Sequence, residues 1–450
     1  MISFDKSDLN NLPETITKIY NFLGFKVIIN SSIPYKLIDD IFFTTISTIL
    51  IILFFIGYKI VQSNKINQLE VIKWSIIFSI LMAVAIPSHS SDLYGYIARG
   101  AQQSLYHQNP YLMPVSKIKE YNTNPLFINF FWPYQPTTYG PIFIYITKAI
   151  VFLSNNNFFL SFFNFKLLNL TLYLLLLLFV IKKNKTEDIY LIGWNPLILI
   201  QGLWNCHNDL FSGVLIFFGL YLLKDGERKE NYFWSMFCLT LAVGIKFVSL
   251  IIIPVVFFYY LKTKPERFIL LNFILGLCSG IILILILSID YLTINHEFVT
   301  HSFSKIINNI GLVHKSLIAT VYMLIKYFCK WRDIDCDFLF ILNLLKYLFY
   351  SAFGMFYLWV LLKRKADLFF DVALVLLIFL SFTIAKFHSW YLLNVIFLLP
   401  LLEKNILKKI LVTLSMSHTY AITFLDQAKI LNFISMTLLP TIFVFLRKEN

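Results

Sequence analysis

Charge is scarce in this 450-residue sequence: Asp, Glu, Lys and Arg make up 14%, against 58% hydrophobic and 18% aromatic residues. A soluble domain carries about a quarter charged residues, so that class is excluded and an integral membrane protein is expected. The motifs of nucleotide-powered machines and serine hydrolases are missing, with no GxxxxGK[ST], GxGxxG or GxSxG. No HExxH or paired-His spacing occurs, so His89, His207 and His388 give little support to a metal triad. The five cysteines form no CxxC pair and lie mostly in apolar segments, where a thiol acts as a small hydrophobe. Neither a structural disulfide nor a metal site is expected. The first 40 residues lack a basic start running into a short apolar core, so no removable signal peptide is expected. With no internal repeat, soluble domain or low-complexity linker beyond Asn155, Asn156 and Asn157, residues 1–450 read as a single integral membrane domain.

What is present is a series of apolar runs. Those near 41–61, 71–87, 160–181, 268–289, 338–362, 369–386 and 430–446 are long enough, or nearly so, to cross a core of roughly 30 Å. Shorter ones lie near 189–204, 209–223, 232–247, 249–261, 390–402 and 407–424. The fold class is therefore all-α, a polytopic transmembrane bundle of about 13 helices. The net charge of +13 gathers in short connections around Lys182, Lys224, Lys262, Lys363, Lys408 and Arg447. That pattern follows the positive-inside rule and excludes a nucleic-acid patch. If these connections face the cytoplasm, residues 88–158 form the first large outer loop, the N-terminus is outside and the C-terminus inside. Parity then requires 141–154 to be interfacial or re-entrant and makes 316–329 a doubtful span.

Four polar constellations fall on the expected outer face. In "SSDLYGYIARGAQQSLYHQNPY" (90–111), Asp92, Tyr96 and Arg99 share a helical face; an N-cap is the plain alternative for Asp92. In "WNPLILIQGLWNCHND" (194–209), His207, Asn208 and Asp209 exceed what one cap requires. Lys246 stands alone among some 30 apolar residues, at an insertion cost of about 2.5–3.5 kcal/mol that marks a pair, a pathway or a site; snorkelling at a turn is the alternative. In "AKFHSWYLL" (385–393), an aromatic belt explains Trp390 and Tyr391 but not Lys386 and His388.

Together with "TTYGPIF" (137–143) and "AVGIKF" (242–247), these stretches resemble the GT-C superfamily of membrane glycosyltransferases, nearest to the bacterial polyprenyl-phosphomannose-dependent mannosyltransferases. The resemblance implies a GT-C-like bundle with interfacial helices in the large outer loop. It implies transfer of a sugar, mannose, from a polyprenyl-phosphate carrier to a hydroxyl of a glycan, lipid or protein acceptor. Asp92 maps onto the catalytic base; Lys246 and His388 lie near the carrier phosphate, and His207, Asn208 and Asp209 line the sugar site. Tyr96, Arg99, Lys386, Trp390 and Tyr391 join the substrate-binding set. Many relatives carry a second acid close by in the first loop, whereas here the next is Glu120; Asp209 is the candidate substitute, and whether a divalent cation takes part stays open. The chemistry asks for little more: a base for the acceptor hydroxyl and cations for the departing phosphate.

Two rivals come from other classes. A lipid or solute transporter would use Lys246, Asp209 and Lys386 as a polar pathway, but such proteins often show inverted repeats with matched broken helices near the midplane, and the sequence shows no such repeat. A non-catalytic assembly subunit is the third reading. Abundant Lys, Asn, Ile and Phe point to an AT-rich bacterial genome, and so to the bacterial cytoplasmic membrane with an outward-facing site.

Overall fold

The computed structural model describes residues 35–87, 90–127, 130, 132–183, 185–224, 228, 230–263, 266–289, 291, 315–363, 367–403, 405–422 and 433–446. His89 and most of the 290–315 loop lie outside them, as do Arg364, Lys365, Lys404, Arg447 and Lys448. Among the described residues there is no β-strand. The apolar runs close their hydrogen bonds internally as helices, which is what a lipid environment requires.

Helix α1 (Tyr35–Gln62) is followed by α2 (Gln68–Val84), with Asn67 accepting from the Leu69 amide to cap α2. The chain then builds α3 (Asp92–Ser104) and, after an irregular stretch, α4 (Pro141–Leu153), α5 (Phe158–Lys183) and α6 (Thr186–Gly193). A π-helix over Ile198–Trp204 leads into α7 (Asp209–Lys224) across a bend of 114°. Next come α8 (Glu230–Ile245), α9 (Ile252–Thr263), α10 (Arg267–Ser288), α11 (Leu317–Trp331) and α12 (Phe338–Leu362). The chain ends with α13 (Leu368–Ile378), α14 (Leu393–Ile396), α15 (Ile406–Ser417) and α16 (Leu439–Leu446).

Among the described residues four helical stretches are long and apolar enough to cross a membrane, Phe42–Gln62, Phe158–Lys182, Arg267–Ser288 and Phe338–Leu362, and a fifth if the bent pair is one span. A total of about 13 is therefore not confirmed; several of the expected spans are short helices interrupted by π or 3-10 turns. Large apolar side chains such as Leu178, Ile282 and Leu358 point outward from these helices, as lipid-facing residues do. Helix α4, at 13 residues, spans only about 20 Å at 1.5 Å per residue. It packs on α3 instead, where a Cβ on Gly100 would stand 2.3 Å from the Thr147 carbonyl oxygen.

The bundle has two polar ends. At the basic end, Lys224 donates to the Pro400 carbonyl at 3.3 Å, Lys408 pairs with Asp188 at 2.7 Å, Lys262 donates to the Leu361 carbonyl, and Lys363 pairs with Asp371. Helices α7 and α9 run from this end to Asp209 and the neighbourhood of Lys246, and α13 runs to the segment carrying Lys386. One expectation is corrected here: Cys329 and Cys336 form a disulfide, with Cα atoms 6.6 Å apart, closing the turn between α11 and α12. The reversal of the chain brings the two thiols together, and a spacing of seven residues carries no sequence signature of this. Ile318, Leu342, Leu345 and Ala385 form a small core that ties α11 and α12 to the Lys386 segment.

Candidate active site

The site grows out of the break before α7. Asn195 caps the preceding turn by accepting from the Leu197 amide at 3.1 Å. The π-helix then ends at Trp204 with its carbonyls pointing into the protein. Lys166, buried on α5, donates to two of them, Leu203 O at 3.0 Å and Trp204 O at 2.6 Å. A cation at a helix C-terminus offsets both the dipole and the unpaired carbonyls. Cys206 takes a φ of 56°, a left-handed conformation that costs a side-chain-bearing residue about 1–2 kcal/mol. The turn is tied down on both sides: the Trp204 indole donates to Ile86 O at 2.6 Å, and the Asn208 amide donates to the Tyr96 hydroxyl at 3.1 Å. As a result His207, Asn208 and Asp209 are buried next to the start of α3.

There His207 Nδ1 lies 2.9 Å from Asp92 Oδ2. The histidine is fully buried while the Asp92 side chain is 21% exposed. Burial pushes the Asp92 carboxyl up, but the hydrogen bond and charge of His207, with the charges of Lys246 and Lys386, outweigh it and hold the group below its ordinary range. Trp390 stacks on the His207 ring at 4.0 Å and on the His388 ring at 4.2 Å, each within 10° of parallel. The N-cap alternative has no side-chain support: Asp92 is the first residue of α3, and its own amide donates to Ser90 Oγ at 3.2 Å.

A second ion pair lies beside it. Lys246 Nζ sits 2.6 Å from Asp209 Oδ1 and 3.8 Å from the centre of the Tyr391 ring, combining a charge pair with a cation–π contact. Asn394 donates to the same carboxylate oxygen at 2.7 Å and accepts from Ser212, which lies 3.0 Å from Ser249. Lys246 is set at this depth by two glycines. The Gly140 amide donates to Ile245 O at 3.0 Å, and a Cβ on Gly140 would stand 2.2 Å from Gly244 O. Only glycine allows backbones this close, and it is how "TTYGPIF" meets "AVGIKF".

Asp92, His207, Asp209, Lys246, Lys386, His388, Trp390 and Tyr391 are thus brought to one end of the bundle. Tyr96 lies beneath them, with its ring edge-on to Phe143 at 4.7 Å. Arg99 lies apart: it donates to Gln102 at 3.0 Å and to the Gln135 carbonyl, and faces the Phe130 ring, holding the outer loop together. Burial pushes its guanidinium down to about 10. Asn208 contributes its backbone to Tyr96, and its side-chain nitrogen has no hydrogen-bond partner among the described residues. Lys166, Asn394, Ser212, Ser249 and Trp132, over which Lys386 lies at 5.5 Å, join the site unannounced. Of these only Lys166, a lone cation in an apolar run, had a sequence signal like that of Lys246.

The donor set does not suit a divalent cation. Asp92 and Asp209 are each bonded to a nitrogen base, and no group of three metal-ligating side chains occurs among the described residues. A carboxylate, two lysines and stacked aromatic rings instead suit a polar ring-shaped substrate with an anionic group.

The chain belongs to the MptA_B family: the family model described as the alpha-(1->6)-mannopyranosyltransferase N-terminal domain matches residues 25–262, more than half of the sequence. The protein is accordingly a mannosyltransferase-type glycosyltransferase of the membrane, in line with the GT-C resemblance. The match takes in Asp92, His207, Asp209 and Lys246, while Lys386 to Tyr391 lie beyond it. No curated protein and no solved structure matches the chain.

Proposed function

We propose that the protein transfers mannose from a polyprenyl-phosphate carrier to a hydroxyl acceptor, on the outer face of a bacterial cytoplasmic membrane. The observation that carries this reading is the meeting of one partly exposed carboxylate, Asp92, with the charges of Lys246 and Lys386 at one point. The acceptor oxygen attacks the sugar C1, the bond from C1 to the phosphate oxygen breaks, Asp92 takes the acceptor proton, and polyprenyl phosphate leaves. Positive charge develops at the sugar ring and negative charge on the leaving oxygen, which Lys246, Lys386 and His388 are there to stabilise. Because the leaving group is already good, a weakly basic carboxylate suffices: the proton moves late, after bond formation has made the hydroxyl acidic. Trp390, Tyr391 and Trp132 offer faces for the sugar. Asp209 serves to hold Lys246 rather than to act as a second acid. The name of the family points to the 6-hydroxyl of a mannoside as acceptor.

Two observations support the outward orientation. The basic connections gather at the opposite end, and the Cys329–Cys336 disulfide, which belongs in an oxidising compartment, lies on the elements tied to the Lys386 segment. The test is a donor comparison. Purified protein in nanodiscs with an alkyl α-mannoside acceptor should transfer radiolabel from polyprenyl-phosphate mannose and not from GDP-mannose; transfer from the nucleotide sugar alone would overturn the reading.

A further inference from the structure

The residue next to the proposed base has a task of its own. His207 is fully buried, so a substrate that reaches the exposed edge of Asp92 does not reach the imidazole. Its ring has no freedom to turn: one face lies against Trp390 at 4.0 Å, which His388 backs at 4.2 Å, and its backbone amide is anchored on Gln201 O at 3.1 Å. In that fixed orientation Nδ1 meets Asp92 Oδ2 at 2.9 Å, while Nε2 has no hydrogen-bond partner among the described residues. An imidazole nitrogen at this distance from a carboxylate oxygen carries a proton and donates it, so Nδ1 bears the hydrogen.

From this geometry we infer that His207 is a positioning residue for glycosyl transfer: clamped by the Trp390–His388 stack, it donates Nδ1–H to Asp92 Oδ2 and turns the other carboxylate oxygen toward the acceptor hydroxyl. The inference rests on the reading of Asp92 as the base, and it removes His207 from the sugar site. The bond occupies one oxygen in every state of the reaction, so the acceptor proton has a single place to go, Oδ1. It also favours the ionised carboxylate, together with Lys246 and Lys386. The remaining titratable groups that act on it, Tyr139, Tyr96 and Tyr391, are phenols that burial pushes well above their ordinary range and so stay neutral. His207 is thus the hydrogen-bond donor among the groups that hold Asp92 ready.

The test compares His207→Leu, which removes the donor, with His207→Asn, whose side-chain amide takes the place of Nδ1–H. Both are made in the full chain in nanodiscs and given polyprenyl-phosphate mannose and an alkyl α-mannoside across pH 4 to 8. With the hydrogen bond gone the Asp92 carboxyl rises, so the acid limb of the kcat profile in His207→Leu should move up by roughly one pH unit. Its kcat should fall at least about tenfold, with the donor KM within about twofold. His207→Asn should restore the acid limb to within a few tenths of a unit of wild type. An unmoved limb with a donor KM raised tenfold would make His207 a sugar contact and overturn the inference. So would an asparagine variant that is folded, by its melting curve, yet as displaced as the leucine variant. Should the leucine variant not fold, the asparagine variant decides alone by its limb and its KM. Failure of the underlying reading shows up separately, as wild-type transfer by Asp92→Asn.

Discussion

Asp209 and Lys246 carry the densest electrostatics of the site. The carboxylate is wholly buried and the ammonium 21% exposed, at 2.6 Å. Deleting one partner of a buried pair leaves the other charge uncompensated, at about 3–5 kcal/mol when both are buried; partial exposure of Lys246 brings this to about 2–3 kcal/mol. Asp209→Ala is therefore expected to lower the melting midpoint in detergent by several degrees. The double variant Asp209→Ala with Lys246→Met should melt above the single one, because the stranded charge is gone. A double variant that melts lower still, by the sum of both losses, would mean that the two residues are not coupled. Much of this pair was legible in the sequence. A lysine in some 30 apolar residues announces a partner, and so does the excess of polar groups in His207 to Asp209. Asn394, Ser212 and Ser249 announce nothing, since single uncharged polar residues in helices commonly bond their own backbone. Their role emerges only once α7, α14 and the turn after Lys246 are packed together.

Among the elements, the break before α7 and the glycine contact decide where charges go. The nearest neighbours of Gly140 are backbone: a methyl group there would meet Gly244 O at 2.2 Å and Ile245 O at 2.9 Å. Backbone gives way less readily than a side chain, so Gly140→Ala is expected to cost about 1–3 kcal/mol. It should also break the hydrogen bond from the Gly140 amide to Ile245 O, shifting Lys246 away from Asp92. Transfer activity should drop at least about tenfold, with a lower melting midpoint measured on the same sample. Unchanged activity would show that the outer loop and α8 do not depend on each other. The sequence marks the Pro141 start of α4 through proline at the first helical position. It does not mark the π-helical turns at Ile198–Trp204 and Phe379–Thr383. Their composition is that of any apolar helix, and the extra residue per turn is accommodated by packing and, in the first, by the Lys166 cap. For the same reason the apolar runs suggest about 13 spans where, among the described residues, four or five stretches are long enough.

At the scale of the molecule, three features agree: basic connections at one end, the cluster around Asp92 at the other, and a disulfide on the two helices tied to the Lys386 segment. Apolar content fixes the membrane and the helical class with little else needed. The disulfide escapes the sequence because the seven-residue separation of Cys329 and Cys336 becomes a contact only when α11 folds back on α12. The account expects both cysteines to be accessible from outside. After mild reduction of intact cells, a membrane-impermeant maleimide should label a variant retaining only Cys329 and Cys336, the other three cysteines being replaced by Ala. Labelling seen only in lysed cells would place this turn, and the site with it, on the cytoplasmic side.

The central claim is that the cluster around Asp92 performs glycosyl transfer, and one measurement addresses it most directly. Asp92→Asn, verified as folded by its melting midpoint, is given radiolabelled polyprenyl-phosphate mannose and a mannoside acceptor at neutral pH. Loss of the base should reduce kcat by about 10²–10⁴-fold with donor KM little changed. Transfer at the wild-type rate would contradict the account.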